Sequence, residues 1–312
     1  MESGILNIYK PVGMTSFDVV YIIRKLTGMK KVGHTGTLDP GAEGVLVICA
    51  GEALKCVEYM TDKDKEYIAR ITFGTQTDTQ DSAGNTVNSS DKRVTPEELK
   101  EVVNTFQGKQ KQLPPMYSAL KCNGKKYCDI ARKGLKIERE LQERDIEIYD
   151  IYVKDADLNS ENFVESAEIF IHCSKGTYIR TICNDIGVKA GTFAHMSRLK
   201  RTRAGQFKIE DSFYIEDLKN MSEKGELGRA FINKDYAFND CVRYTFNDDN
   251  IKKITNGISI NIVQAGLDGT LNLDEYIRIY DENNNIRAVG KIIEKDNERL
   301  VKGYRIFNES DQ

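Results

Sequence analysis

The run Gly33-His34-Thr35-Gly36-Thr37-Leu38-Asp39-Pro40-Gly41-Ala42-Glu43-Gly44 places four glycines and a proline around one carboxylate, Asp39. Glycine opens φ > 0 and proline fixes φ, so such a run specifies a contorted loop. A carboxylate that a rigid loop holds over a cleft can act as nucleophile or base. The same residue in an ordinary loop closes an Asx turn or caps a helix. Composition and spacing leave these roles open. Other chemistries fare worse. The Gly-Lys-Ser/Thr of a P-loop is missing, and so is G-x-G-x-x-G. The seven cysteines contain no C-x-x-C pair, and His34, His172 and His195 form no H-x-x-x-H pair. No metal site is expected from these spacings. The thiols read as reduced and buried, as in a cytoplasmic protein.

The 312 residues carry a net charge of −3, which by itself argues against a nucleic-acid partner. The distribution says otherwise. Residues 109–136 hold eight basic side chains against Asp129, a net +7. Residues 169–209 hold eight against Asp185, again +7, so the remainder of the chain carries −17. Two basic segments on an acidic background suit a phosphate-binding face. Tyr117, Tyr127, Tyr178 and Phe193 interleave them, which favours RNA. Two solvated surface stretches are the plainer reading.

Several elements must position these residues. Residues 4–9 read as a strand. A helix to about Leu26 follows, with Ser16 as candidate N-cap and Gly28 as its stop. Residues 44–50 read as a buried strand. Over 65–74, Tyr67, Ala69, Ile71 and Phe73 alternate as on a half-buried strand, where Tyr67 is by default a core tyrosine. Thr95-Pro96-Glu97-Glu98 predicts a helix to about Phe106. Residues 145–153 and 165–173 look like paired strands, and 177–188 like a helix. Strands and helices mix without a regular βαβ period, so the fold class is α+β. Length suggests two domains. The boundary is placed near residue 239, with 208–238 as a link and a small all-β module beyond. No segment reaches the ~20 apolar residues of a membrane helix, and Met1-Glu2-Ser3-Gly4 lacks a basic and an apolar region, so no secretory leader is expected.

Six blocks, in order, are similar to the TruB family of tRNA pseudouridine synthases. They are residues 4–16 (GILNIYKPVGMTS), 31–44, Lys65-Glu66-Tyr67 with Gly74-Thr75-Gln76-Thr77-Asp78-Thr79, 112–121, 173–181 (CSKGTYIRT) and 196–203 (MSRLKRTR). Together they span about the first two-thirds of the chain. The resemblance implies isomerisation of uridine 55 in the TΨC arm of tRNA, on a pseudouridine synthase fold with a mixed, largely antiparallel sheet. It implies a catalytic domain over 1–238, with an RNA-binding insertion at about 109–140, and a PUA-like module over 239–312. Asp39 matches the aspartate that initiates glycosidic bond cleavage. Tyr67 matches the tyrosine that stacks on the target base, and Arg180 the arginine paired with the aspartate. Opposite charges at such range stabilise each other's ionised forms. Tyr178 and Leu199 match pocket-lining residues. His34 matches a residue that fills the space left by the flipped nucleotide. Lys10 and Pro11 match a block supporting the active-site loop. Lys10, Lys121, Lys125, Lys126 and Arg201 complete the expected substrate-binding set. The reaction needs no cofactor or metal. The expected protein is a cytoplasmic monomer acting on tRNA without an obligatory protein partner. Competing readings are a non-catalytic tRNA chaperone using the same cleft and the guide-RNA-dependent branch of the superfamily. Residues 240–312 hold ten basic and thirteen acidic side chains, so the C-terminal module is a weak electrostatic anchor for RNA.

Overall fold

The computed structural model describes residues 3–117, 142–267 and 269–307, with the backbone alone of 121–122 and 125–126. The chain opens with β1 (Gly4–Lys10), α1 (Ser16–Thr27), β2 (Val32–His34) and β3 (Ala42–Ala50). Next come α2 (Val57–Thr61), β4 (Lys65–Phe73), β5 (Thr75–Thr77), β6 (Thr86–Ser89), α3 (Pro96–Asn104) and β7 (Gly108–Gln112). Two short strands, β8 (Lys121–Cys122) and β9 (Lys125–Lys126), pair with each other. Then follow β10 (Arg144–Leu158), β11 (Val164–Cys173), α4 (Ile179–Ala190), β12 (Ala194–Ala204), β13 (Phe207–Lys208), β14 (Phe213–Tyr214) and α5 (Ile215–Glu223). The last part contains β15 (Val242–Thr245), α6 (Asp248–Thr255), β16 (Ile260–Asn261), β17 (Tyr276–Tyr280), β18 (Ile286–Lys295) and β19 (Glu298–Ile306).

A ten-stranded sheet runs β14-β1-β3-β12-β4-β11-β10-β7, with β2 beside β3 and β13 beside β12. Only β1–β14 and β3–β12 are parallel; the other pairs are antiparallel. This is the expected mixed, largely antiparallel α+β fold. Strand residues alternate between faces. Leu46 and Ile48 of β3 join Tyr67, Ala69 and Ile71 of β4 in a core under α1, α3, α4 and α5. Val45, Val47 and Cys49 face the other way, into a second cluster with Phe238, Tyr280, Val289 and Phe307. Covered on both faces, β3 reads as an uninterrupted apolar run. A five-stranded sheet, β15-β17-β18-β19-β16, lies in the C-terminal part.

Three expectations change, and one strand is added. Thr15, not Ser16, is the N-cap of α1, in a capping box with Asp18. Ser16 is buried and its hydroxyl is used elsewhere. Residues 208–238 are no link: β14 extends the large sheet, and Ile215 and Leu218 of α5 enter the main core. The C-terminal part is not all-β, because α6 packs Ile251 and Ile254 against its sheet. Finally, β12 is a central strand that periodicity did not reveal. Its buried positions include Arg201, and two register shifts break the alternation.

Candidate active site

Asp39 lies in the loop between β2 and β3, where its backbone is fastened on every side. The amide of Ala42 donates to the Asp39 carbonyl (3.0 Å), and the amide of Gly13 donates to the Pro40 carbonyl (2.8 Å). The Ser16 hydroxyl accepts from the Leu38 amide (2.8 Å) and donates to the Leu38 carbonyl (3.1 Å). Thus the first residue of α1 holds the residue just before Asp39. From below, Arg201 donates through Nε to the Val45 carbonyl (2.7 Å) and through Nη2 to the Gly36 carbonyl (3.0 Å). This guanidinium is only 2% exposed, so its bonds to carbonyls offset the burial of its charge. Gly44 makes the approach possible. A Cβ there would sit 2.2 Å from the Arg201 carbonyl oxygen, and its φ is +104°.

Arg180 projects from the first turn of α4. Its Nε is 3.1 Å from Asp39 Oδ2 and its Nη1 is 3.2 Å from Asp81 Oδ2. Nη1 also donates to the Thr79 carbonyl, and Nη2 to the Tyr117 carbonyl at 2.8 Å. The planar fork suits several fixed acceptors at once. The Arg180 side chain is 8% exposed and that of Asp39 is 43% exposed. The charge is therefore fixed from behind while the carboxylate faces outward. Asp81 is itself set by Thr79 Oγ1 (2.6 Å) and the Ala83 amide (3.0 Å), both donating to Oδ1.

Tyr67 is buried on β4, opposite Arg201 of β12 and Ile171 of β11. Burial pushes its hydroxyl pKa up, and the Arg201 charge opposes that shift. Leu38, Tyr67 and Leu199 belong to the same apolar cluster. Tyr178 is the N-cap of α4. Gln112 at the end of β7 grips its backbone, donating to the Tyr178 carbonyl (3.0 Å) and accepting from its amide (2.8 Å). His34 ends β2, and burial, then the Arg201 charge, lowers its pKa. Its Nδ1 is buried with no hydrogen-bond partner among the described residues. Lys10 is fully buried; its Nζ donates to the Pro11 carbonyl (2.9 Å) and the Met14 carbonyl (2.6 Å). Desolvation lowers its pKa to about 8, against the pull of Asp39.

A carboxylate held by a buried arginine beside an apolar, tyrosine-containing wall is suited to covalent or proton-transfer work on a flat, neutral ring. Comparison with known proteins narrows the field. A family model described as "TruB family pseudouridylate synthase (N terminal domain)" matches residues 24–179. The "tRNA pseudouridine synthase B" of Clostridioides difficile is 40% identical over 304 residues, 97% of this chain and 99% of that one. This chain belongs to the TruB family. A second model, "tRNA pseudouridylate synthase B C-terminal domain", matches residues 180–234. The Bacillus subtilis protein of the same name is 43% identical over 259 residues, 82% of this chain and 83% of that one. Among solved structures, a Cbf5-Nop10-Gar1 complex contains a chain similar with TM-score 0.74 and 25% identity, over 98% of this chain and 85% of that one. An H/ACA RNP bound to a substrate RNA containing 2′-deoxyuridine matches in fold, with TM-score 0.73 and 22% identity, over 99% and 86%. The protein is a pseudouridine synthase, an isomerase.

On this TruB fold, Asp39 and Arg180 meet, and Tyr67 and Leu199 stand together in the adjoining core. Lys10 and Arg201 are placed behind the loop, where they hold backbone; neither presents an exposed charge. The side chains of Lys121, Lys125 and Lys126 lie outside the described residues, as does most of the 109–140 insertion. Three contributors have no site role assigned from sequence: Asp81, which lies outside the matching blocks, and Ser16 and Gln112, which lie within them. Asp81 stands two residues past the Gly74–Thr79 block, so extending that block would have found it. Ser16 has the spacing of an N-cap, and nothing in that spacing points to Leu38.

Proposed function

We propose that this chain converts uridine 55 in the TΨC arm of tRNA to pseudouridine, with Asp39 initiating cleavage of the glycosidic bond. The observation that carries the reading is the exposed Asp39 carboxylate fixed from behind by buried Arg180 on the TruB fold. The reaction breaks C1′–N1, turns the uracil and joins C1′ to C5; C5 loses a proton and N1 gains one. Atoms and electrons balance within one nucleotide. The base must first leave its stack, at roughly a few kcal/mol. Stacking on Tyr67 returns roughly 1–3 kcal/mol. Burial raises the Tyr67 hydroxyl pKa, which keeps it a hydrogen-bond donor at neutral pH; it takes the C5 proton only as it hands its own proton on, toward the N1 that gains one. Tyr178 and Leu199 line the base pocket, and His34, neutral through burial, fills the place of the flipped nucleotide. Lys121, Lys125 and Lys126 bind phosphates from the insertion. Lys10 and Arg201 act on RNA indirectly, by holding the Asp39 loop. Residues 1–238 form the catalytic part and 239–312 a PUA-like part. The protein works as a monomer on naked tRNA.

The decisive experiment maps pseudouridine in an unmodified tRNA transcript after incubation with purified wild-type protein or Asp39→Asn and nothing else. A single new pseudouridine at position 55, absent with Asp39→Asn, is expected. Conversion elsewhere would remove the site assignment, and conversion by Asp39→Asn at the wild-type rate would remove the role of Asp39. If tRNA refolding assistance survives in Asp39→Asn, chaperone activity resides in the same cleft as well.

A further inference from the structure

Neither basic segment of the sequence includes α1, yet this helix has an unusual outer face. Its inner face buries Val19, Val20 and Ile23. On the opposite face Phe17 is 61% exposed and Tyr21 53% exposed, and Val12 in the preceding turn is 60% exposed. Single exposed apolar side chains are ordinary; two aromatic rings at i and i+4 on one solvent face are less so. Both rings carry cations. The Arg24 guanidinium lies 5.5 Å from the Phe17 centroid, and Lys25 Nζ lies 4.6 Å from the Tyr21 centroid. Positions 17, 21, 24 and 25 follow the i, i+4, i+7, i+8 spacing of a single helix face. After the Gly28 C-cap the chain exposes Lys30 and Lys31. Residues 11–31 thus hold four basic side chains and one acid, Asp18. That acid is occupied, accepting from the Thr15 amide (2.8 Å) and hydroxyl (2.7 Å).

The start of the helix adjoins the reactive loop. Ser16 holds Leu38, and the Gly13 amide holds the Pro40 carbonyl, so the start of α1 brackets Asp39 on both sides in sequence. We propose that the outer face of α1, with the Lys30–Lys31 turn, is an RNA-binding surface: Phe17 and Tyr21 stack on unpaired bases near the reacting nucleotide, and Lys25, Lys30 and Lys31 hold their phosphates. Charge complementarity selects this occupant, since cations above exposed rings offer an unpaired nucleotide both a stacking partner and a counter-ion. This proposal rests on the tRNA-modifying reading above.

The test compares the full chain with two exposed-surface variants, Phe17→Ser/Tyr21→Ser and Lys25→Gln/Lys30→Gln/Lys31→Gln, after a melting curve confirms that each folds. An unmodified tRNA transcript is the probe, and its dissociation constant and KM are read at several salt concentrations. The aromatic variant is expected to bind about ten-fold more weakly, or worse, as two lost stacks require. The lysine variant is expected to lose about 2 from the slope of log affinity against log salt. Unchanged affinity in the first and unchanged slope in the second would overturn the proposal. A photoreactive benzoylphenylalanine at position 21 should crosslink to tRNA; a crosslink only to a second copy of the chain would overturn it in favour of self-association. Wild-type binding without conversion would remove the proposed activity and leave this surface to the same affinity readings. Failure of the wild type to bind any tRNA would remove both.

Discussion

Arg180 is the most heavily engaged side chain of the candidate site, reaching two carboxylates and two backbone carbonyls. Lysine in its place keeps the charge and loses the fork. Arg180→Lys is expected to lower kcat about 100-fold or more, the worth of one or two charge-assisted hydrogen bonds. Single-turnover assays at saturating enzyme check this, and a rate within a few-fold of wild type would contradict it. Lys10 gives a pH signature. Its pKa is lowered to about 8 by burial, from 10.5. Between those values the unfolded chain retains a proton that the folded chain has released. Stability owed to Lys10 therefore rises with pH across that window and is flat below it. Lys65 titrates near the same pH and is present in both proteins, so the comparison with Lys10→Met isolates Lys10. Urea unfolding at pH 7.5 and about 10 should show a smaller gain for Lys10→Met than for wild type. At this scale Asp39, Arg180 and Tyr67 were legible through the TruB blocks. The support that Lys10 gives the loop was implied by its block, but its burial and the buried post of Arg201 were not legible, because a basic side chain in a motif reads as a surface charge until its depth is known.

Among the elements, the parallel pair β3–β12 supports the Asp39 loop, and Gly44 sets its spacing. Gly44→Ala would drive a methyl group into the Arg201 carbonyl at a φ that L-residues avoid. A loss of about 3 kcal/mol or more is expected, from overpacking and backbone strain together. Denaturant midpoints measure it, and a near-neutral result would mean that β3 and β12 separate without penalty. Capped helices were readable: Thr95, Pro96 and Glu98 place α3 with its full capping box. Alternation placed β4, β10 and β11. It failed for β12, since Arg201 occupies a core position and bulges shift the period between Met196 and Arg198 and between Arg201 and Arg203. It also missed α6, whose buried face is only Ile251 and Ile254.

Across the whole molecule, the two sheets meet over a buried ion cluster. Glu52 contacts Lys234 Nζ (2.7 Å) and Lys55 Nζ (2.6 Å), and Lys55 also donates to the Ile306 carbonyl (2.9 Å). Burial raises the Glu52 pKa, but the two lysines outweigh it and the net direction is down. Lys234→Met leaves that carboxylate with one partner and is expected to cost about 3–5 kcal/mol. Adding Glu52→Leu should recover much of the loss, which thermal unfolding of single and double variants can check. Composition could announce a C-terminal module, but not this seam, because its partners Glu52 and Lys234 are far apart in sequence. The seam has a temporal side. β3 is made early in synthesis, soon after α1, the first helix to cover one of its faces. The cover of its other face, Val45, Val47 and Cys49, is complete only when Phe238, Val289 and finally Phe307 have left the ribosome. A nascent chain thus carries the Asp39 loop long before β3, the strand that follows it, is covered on both faces.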